Sequence, residues 1–149
     1  MYLFNFLNTC NVEKIVKQPL IIKYILFDGF ISFYFGSDVS DEEINAEELK
    51  ALFYGKTVSW VQHKKGHTGT GYFAPDGKLT GLRNGTDKFQ YGWSVNDDGH
   101  LCIEKSSETN CRVIEKSGDE IRKIKVKPNG KRIHIMTYSD FVDGNPNNF

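Results

Sequence analysis

The chain has 149 residues with 19 basic and 19 acidic side chains, so no net charge draws it onto nucleic acid or an anionic membrane surface. The balance is also local, since residues 1–40 carry three of each sign: Lys14, Lys17 and Lys23 against Glu13, Asp28 and Asp38. Aromatics at 13% and 14 glycines favour a turn-rich β fold over a helical bundle. No apolar run reaches the roughly 18 uncharged residues of a membrane-spanning helix.

The first zone, residues 1–36, is apolar and aromatic. Lys23 precedes Tyr24-Ile25-Leu26-Phe27-Asp28-Gly29-Phe30-Ile31-Ser32-Phe33-Tyr34-Phe35-Gly36, the order of a charged and then an apolar region in an export leader. Asp28 interrupts that run, and no small-x-small cleavage site follows it. The same residues also read as two β-prone runs, Ile21–Phe27 and Phe30–Phe35, around an Asp28-Gly29 hairpin turn. Such a hairpin is apolar on both faces and needs a surface to cover it, on its own domain or on a second copy of the chain. The two readings are a degenerate leader and a homodimerisation element.

A single β domain is expected over residues 37–142, opened by one short amphipathic helix at 46–54. Asn45 can accept from the amide of Glu48 while Glu48 reaches back, the reciprocal logic of a capping box. Ile44 and Leu49 occupy the hydrophobic-staple positions, and Gly55 stands where a left-handed residue ends a helix. Leu49, Leu52 and Phe53 fall on one face. So short a helix is not stable alone, and it is expected to lid or plug a sheet.

Turn signals then punctuate the chain: Ala74-Pro75-Asp76-Gly77, Asn84-Gly85, Asn96-Asp97-Asp98-Gly99 and Pro128-Asn129-Gly130. The intervening segments, Thr57–His63, Gly71–Ala74, Lys78–Arg83, Lys88–Val95, His100–Lys105, Asn110–Lys116, Glu120–Lys127 and Lys131–Tyr138, make about eight strands. No long helical segment separates them, so the fold is mainly β: an antiparallel meander closed into a small barrel, lipocalin-like in general architecture, or folded into a sandwich. Phe89, Tyr91, Trp93 and Val95 share one parity, a buried face. Lysines alternate with apolar residues over Ile121–Lys127, which suggests an exposed or edge strand. Ile133 and Ile135 are placed on one face, His134 and Met136 on the other. Residues 143–149 read as a loose tail.

Of the three cysteines, Cys10 lies in the first zone, while Cys102 and Cys111 lie on adjacent strands. A turn on Ser106-Ser107 sets Cys102 opposite Cys111 in a non-hydrogen-bonded pair, with Cα atoms about 4.5 Å apart. That is the near end of the roughly 4.4–6.8 Å that a disulfide spans. The alternative is two free core cysteines in a cytosolic protein.

The elements Ala46-Glu47-Glu48-Leu49-Lys50-Ala51-Leu52-Phe53-Tyr54-Gly55-Lys56-Thr57, Tyr72-Phe73-Ala74-Pro75-Asp76-Gly77, Gly92-Trp93-Ser94-Val95 and Leu101-Cys102-Ile103 with Cys111 resemble a family of small exported proteobacterial proteins of unknown function. The likeness runs from Glu47 to Glu115. It implies export and a small β domain, and it supplies no activity. The expected location is periplasmic or secreted, or cytoplasmic if residues 1–36 are not a leader.

No enzyme signature stands out. His63 and His67 have a zinc-like interval, but Lys64-Lys65-Gly66 between them reads as a turn. Asp97 and Asp98 serve a turn. Gly66-His67-Thr68-Gly69-Thr70-Gly71 lacks the lysine and following helix of a phosphate loop. No catalytic, cofactor or metal residue is assigned. The aromatic set Trp60, Tyr72, Phe73, Tyr91 and Trp93 reads first as packed core. If the barrel is hollow, the same residues would line a pocket for a small apolar ligand. The expected function is non-enzymatic binding of a small apolar ligand or a protein partner. A homodimeric assembly module and a hydrolase with an unrecognised site are the alternatives.

Overall fold

A computed structural model describes Leu26–Phe27, Phe30–Ile31 and residues 40–149. The chain divides into two units, Met1–Asp38 and Val39–Phe149. In the first, β1 (Leu26–Phe27) pairs antiparallel with β2 (Phe30–Ile31), in the register Leu26↔Ile31 and Phe27↔Phe30. Asp28 and Gly29, read as the turn between them, lie outside the described residues. The leader and homodimer readings otherwise fall, with Cys10, outside the described residues.

The second unit starts with a two-residue strand, β3 (Glu42–Glu43), followed by helix α1 (Ala46–Phe53). Asn45 Oδ1 accepts from the amides of Glu47 and Glu48, both at 3.0 Å, and the Asn45 amide donates to Glu48 Oε2 at 3.4 Å. The capping box read from the sequence is therefore formed. Gly55 adopts φ +68°, the left-handed conformation that ends the helix without a Cβ penalty.

Eight antiparallel strands follow: β4 (Lys56–Gln62), β5 (His67–Phe73), β6 (Lys78–Arg83), β7 (Asp87–Val95), β8 (Leu101–Lys105), β9 (Glu108–Ser117), β10 (Glu120–Val126) and β11 (Arg132–Asp143). Each pairs with the next, and β11 returns to pair with β4 in the register Tyr138↔Trp60, so the meander closes into a barrel. Closure decides against the sandwich. Asn84 (φ 51°) and Gly85 (φ 77°) are both left-handed, and because Arg83 pairs with Asp87 the connection has three residues, Asn84 to Thr86, rather than the two that Asn-Gly signals.

Closure also explains where sequence expectations shift. β10 is not an edge, because it pairs with both β9 and β11, and so one of its faces must look inward. β5 starts at His67 rather than Gly71. Glycines in a strand read as loop, yet here they let the sheet bend. An alanine Cβ at Gly69 would strike Trp60, and one at Gly81 would meet the Thr70 carbonyl, with Gly71 Cα at 2.7 Å and Phe89 Cζ at 2.8 Å. The β10–β11 register skips Ile135, with Lys123↔Met136 followed by Ile124↔His134. This bulge turns Ile135 and Met136 toward the same cavity instead of opposite faces. β11 runs on to Asp143, and Thr57 Oγ1 donates to the Gly144 carbonyl at 2.6 Å. Asn145 and Phe149 exchange two hydrogen bonds within the tail read as loose.

Helix α1 plugs one end of the barrel. Leu49 and Phe53 are fully buried, and the Phe53 ring lies 4.7 Å from Phe73 and 5.1 Å from Tyr138. Val58, Leu101 and Ile114 are also fully buried in this floor. Burial pushes the Tyr138 phenol up from its ordinary value. Among the described residues no helix is long and apolar enough to cross a membrane.

Candidate functional site

The inner face alternates along every strand. Below, the inward residues interlock into the floor; above, they leave a cavity of about 290 Å³, close to the lower end of the roughly 300–1,000 Å³ of small-molecule sites. Its two walls differ chemically. On one side, β4 and β7 present Trp60, Phe89 and Tyr91, the last two stacked at 5.0 Å with planes 18° apart. On the other side, β8, β9 and β10 present Lys105, Arg112 and Lys123. With Lys65 and Arg83, five lining residues are lysine or arginine, and none is aspartate or glutamate.

Four of these cations stand near the mouth or are held by neighbours. Arg83 approaches Asp87 at 3.6 Å. Arg112 donates to the Cys111 carbonyl at 2.7 Å and to Asn110 Oδ1 at 3.0 Å. Lys105 Nζ lies 4.8 Å from the centre of the Tyr91 ring, a cation–π contact. Lys65 belongs to the turn before β5. Lys123 is different: it is only 8% exposed, and no hydrogen-bond or ion-pair partner for it exists among the described residues. Its burial, then the charges of Arg112 and Lys105, lower its pKa from 10.5 to about 8.

The aromatic set read from the sequence separates into three groups. Trp60, Phe73 and Tyr91 line the cavity. Trp93 lies inside but below it, 7% exposed in the floor, with Nε1 donating to the Ala74 carbonyl at 2.9 Å. Tyr72 is excluded as a lining residue, because it alternates with the inward Phe73 and stands on the outer face opposite Thr57 and Thr80. Cys102 stands opposite Cys111 in the expected register, with sulfurs 1.96 Å apart, a disulfide distance.

Sequence reading missed Lys105, Arg112 and Lys123. Alternating lysines signal a wetted strand, and only strand closure turns one of those faces inward. The available signal was the count of about eight meander strands, which leaves no edge for β10 to occupy once the barrel closes.

The two histidines singled out at 63 and 67 are not brought together. His67 lines the cavity mouth. His63 Nε2 instead shares the Thr137 hydroxyl, at 2.9 Å, with His134, which reaches it at 3.0 Å, and the two rings are 4.4 Å apart. Among the described residues no group of His, Cys, Asp and Glu is placed to hold a metal ion. A larger, shallower groove of about 670 Å³ runs past Ser59, Thr70, Ser139 and Phe149, where the hydroxyls are engaged locally, Ser59 with Thr70 and Ser139 with Asp140.

No curated protein and no solved structure matches the chain. A family model does match, over residues 37–121, which takes in α1 and strands β4 to β9 and ends inside β10. That match covers more than half of the sequence, and the chain belongs to the family described as proteins of unknown function, DUF995.

Proposed function

We propose that this domain binds a small molecule inside its barrel. The observation that supports the reading most is the unfilled space above a sealed floor, about 290 Å³ walled by Trp60, Phe89, Tyr91 and Met136. A β domain of this size ordinarily packs its interior to crystal-like density, so a hollow left beside large aromatic side chains has a use. At about 30 Å³ per water molecule, the space corresponds to a ligand of about ten heavy atoms. The site offers positioning groups and no paired base and nucleophile, which favours binding over catalysis. The Cys102–Cys111 pair supports an oxidising compartment as its workplace.

The test is a thermal-shift panel of neutral, anionic and cationic small molecules of about that size, repeated on Met136→Trp, which fills the cavity. The expected result is a concentration-dependent rise in Tm for at least one chemical class, lost in the filled variant. No shift from any class, or a shift that survives Met136→Trp, overturns the reading.

A further inference from the structure

The cavity is not a general apolar pocket. We infer that its ligand is an organic monoanion, a carboxylate on a short apolar body, with the carboxylate on the Lys123 and Arg112 wall and the body against Trp60, Phe89 and Tyr91. This rests on the barrel being a binding site and adds the chemistry of what it takes.

Three observations carry the inference. First, the interior is uneven: Trp60, Phe89 and Tyr91 come from β4 and β7, while three of the five cations, Lys105, Arg112 and Lys123, come from β8 to β10, so a molecule with two unlike ends fits it. Second, the lining holds five lysines and arginines and no carboxylate, and of the five only Arg83 has a carboxylate partner among the described residues, Asp87 at 3.6 Å. Third, Lys123 is 8% exposed and faces the cavity without a partner among the described residues. Among the described residues no buried side-chain N or O atom lacks a partner, so the Lys123 ammonium opens onto the cavity space, where a ligand's counter-ion would offset its partial desolvation. Arg112 is pre-oriented by Asn110 and by the Cys111 carbonyl, and the Cys102–Cys111 pair anchors the same backbone. Its remaining N–H groups can serve a carboxylate.

Protonation follows from the same geometry. The titratable and charged groups that share the cavity with Lys123 are Lys105 on β8, Arg112 on β9 and Tyr138 on β11, together with Lys65, His67 and Arg83. Of these, the charged lysine and arginine neighbours all oppose a proton on Lys123 and all favour an anion. Carboxylate binding therefore holds the Lys123 proton on, and affinity falls once the pH passes the point where free Lys123 releases it.

Octanoate, octanol and octylammonium form a matched set of about the right size. Calorimetric titration at pH 7 is expected to give octanoate at least about tenfold tighter binding than octanol, with octylammonium weakest. Lys123→Met is expected to erase the octanoate preference while leaving octanol binding intact. Lys123→Arg is expected to keep the preference and to carry it to pH 10, where the unsubstituted protein loses it. If octanol binds as well as octanoate, or Lys123→Met leaves the preference unchanged, this inference falls while the binding-site reading stands. If none of the three binds and the wider panel is also silent, both fall together.

Discussion

Lys123→Met is the substitution whose effect follows most directly from the geometry. The lysine side chain is 8% exposed between Ile114 on β9 and Met136 on β11, and its pKa falls from 10.5 to about 8. In the unfolded chain the amine holds its proton up to its ordinary value, whereas in the folded chain it releases it near pH 8. Between those values the unfolded state binds more protons, so stability rises as the pH increases through this window. Below pH 8 the charged buried amine costs its full amount. A fall of this size at about 1.4 kcal/mol per unit corresponds to about 3 kcal/mol. Methionine fills nearly the same volume without the charge, so the variant is expected to be more stable at pH 7 by up to about 3 kcal/mol. For a domain of this size that is on the order of 10 °C in Tm. Urea denaturation of both proteins at pH 7, 8.5 and 10 is the assay. The gap should be largest at pH 7 and nearly closed at pH 10. A variant less stable than the parent at pH 7, or a gap independent of pH, refutes the account of Lys123 as an uncompensated buried charge.

Other consequences are local. Gly81→Ala puts a methyl group against the Thr70 carbonyl and Phe89, and should cost about 2–3 kcal/mol in urea denaturation. Phe53→Ala removes the ring that joins α1 to Phe73 and Tyr138; a loss of about 3–5 kcal/mol is expected by the same assay. Replacing Cys102 and Cys111 together by serine opens a cross-link between residues nine apart, and should cost about 2–3 kcal/mol in non-reducing denaturation relative to the parent. A thiol titration of unreduced parent that finds both cysteines free would contradict the premise. His134 is held below its ordinary pKa by burial first, then by His63 and Arg122. As the pH falls below about 6.5 the unfolded chain takes up this proton before the folded one, so stability declines there, and His134→Gln should flatten that part of the profile.

Local chemistry made much of this fold legible. The Asn45–Glu48 capping box and the Cys102↔Cys111 register each depend on residues within ten positions of one another, and each is formed as read. The parity of Phe89, Tyr91 and Trp93 likewise needed only the pleat of a single strand. Failures arose where a distant strand decides. Tyr72 and Phe73 group together by composition, but neighbours in a strand face opposite ways. The glycines of β5 look like loop until the Trp60 and Phe89 rings that need their space are in place.

By itself the sequence determined an antiparallel β meander of about eight strands plugged by a capped helix, because turns, caps and alternation are set over a few residues. Only the tertiary structure decided that the meander closes, through the pairing of β11 with β4 some 78 residues away at Tyr138↔Trp60. Closure is what abolishes the edge at β10, turns Lys123 from an apparent surface lysine into an interior one, and brings it into the same cavity lining as Trp60. Whether a lysine is wetted or buried depends on what stands opposite it in space, and alternation along one strand carries no record of that.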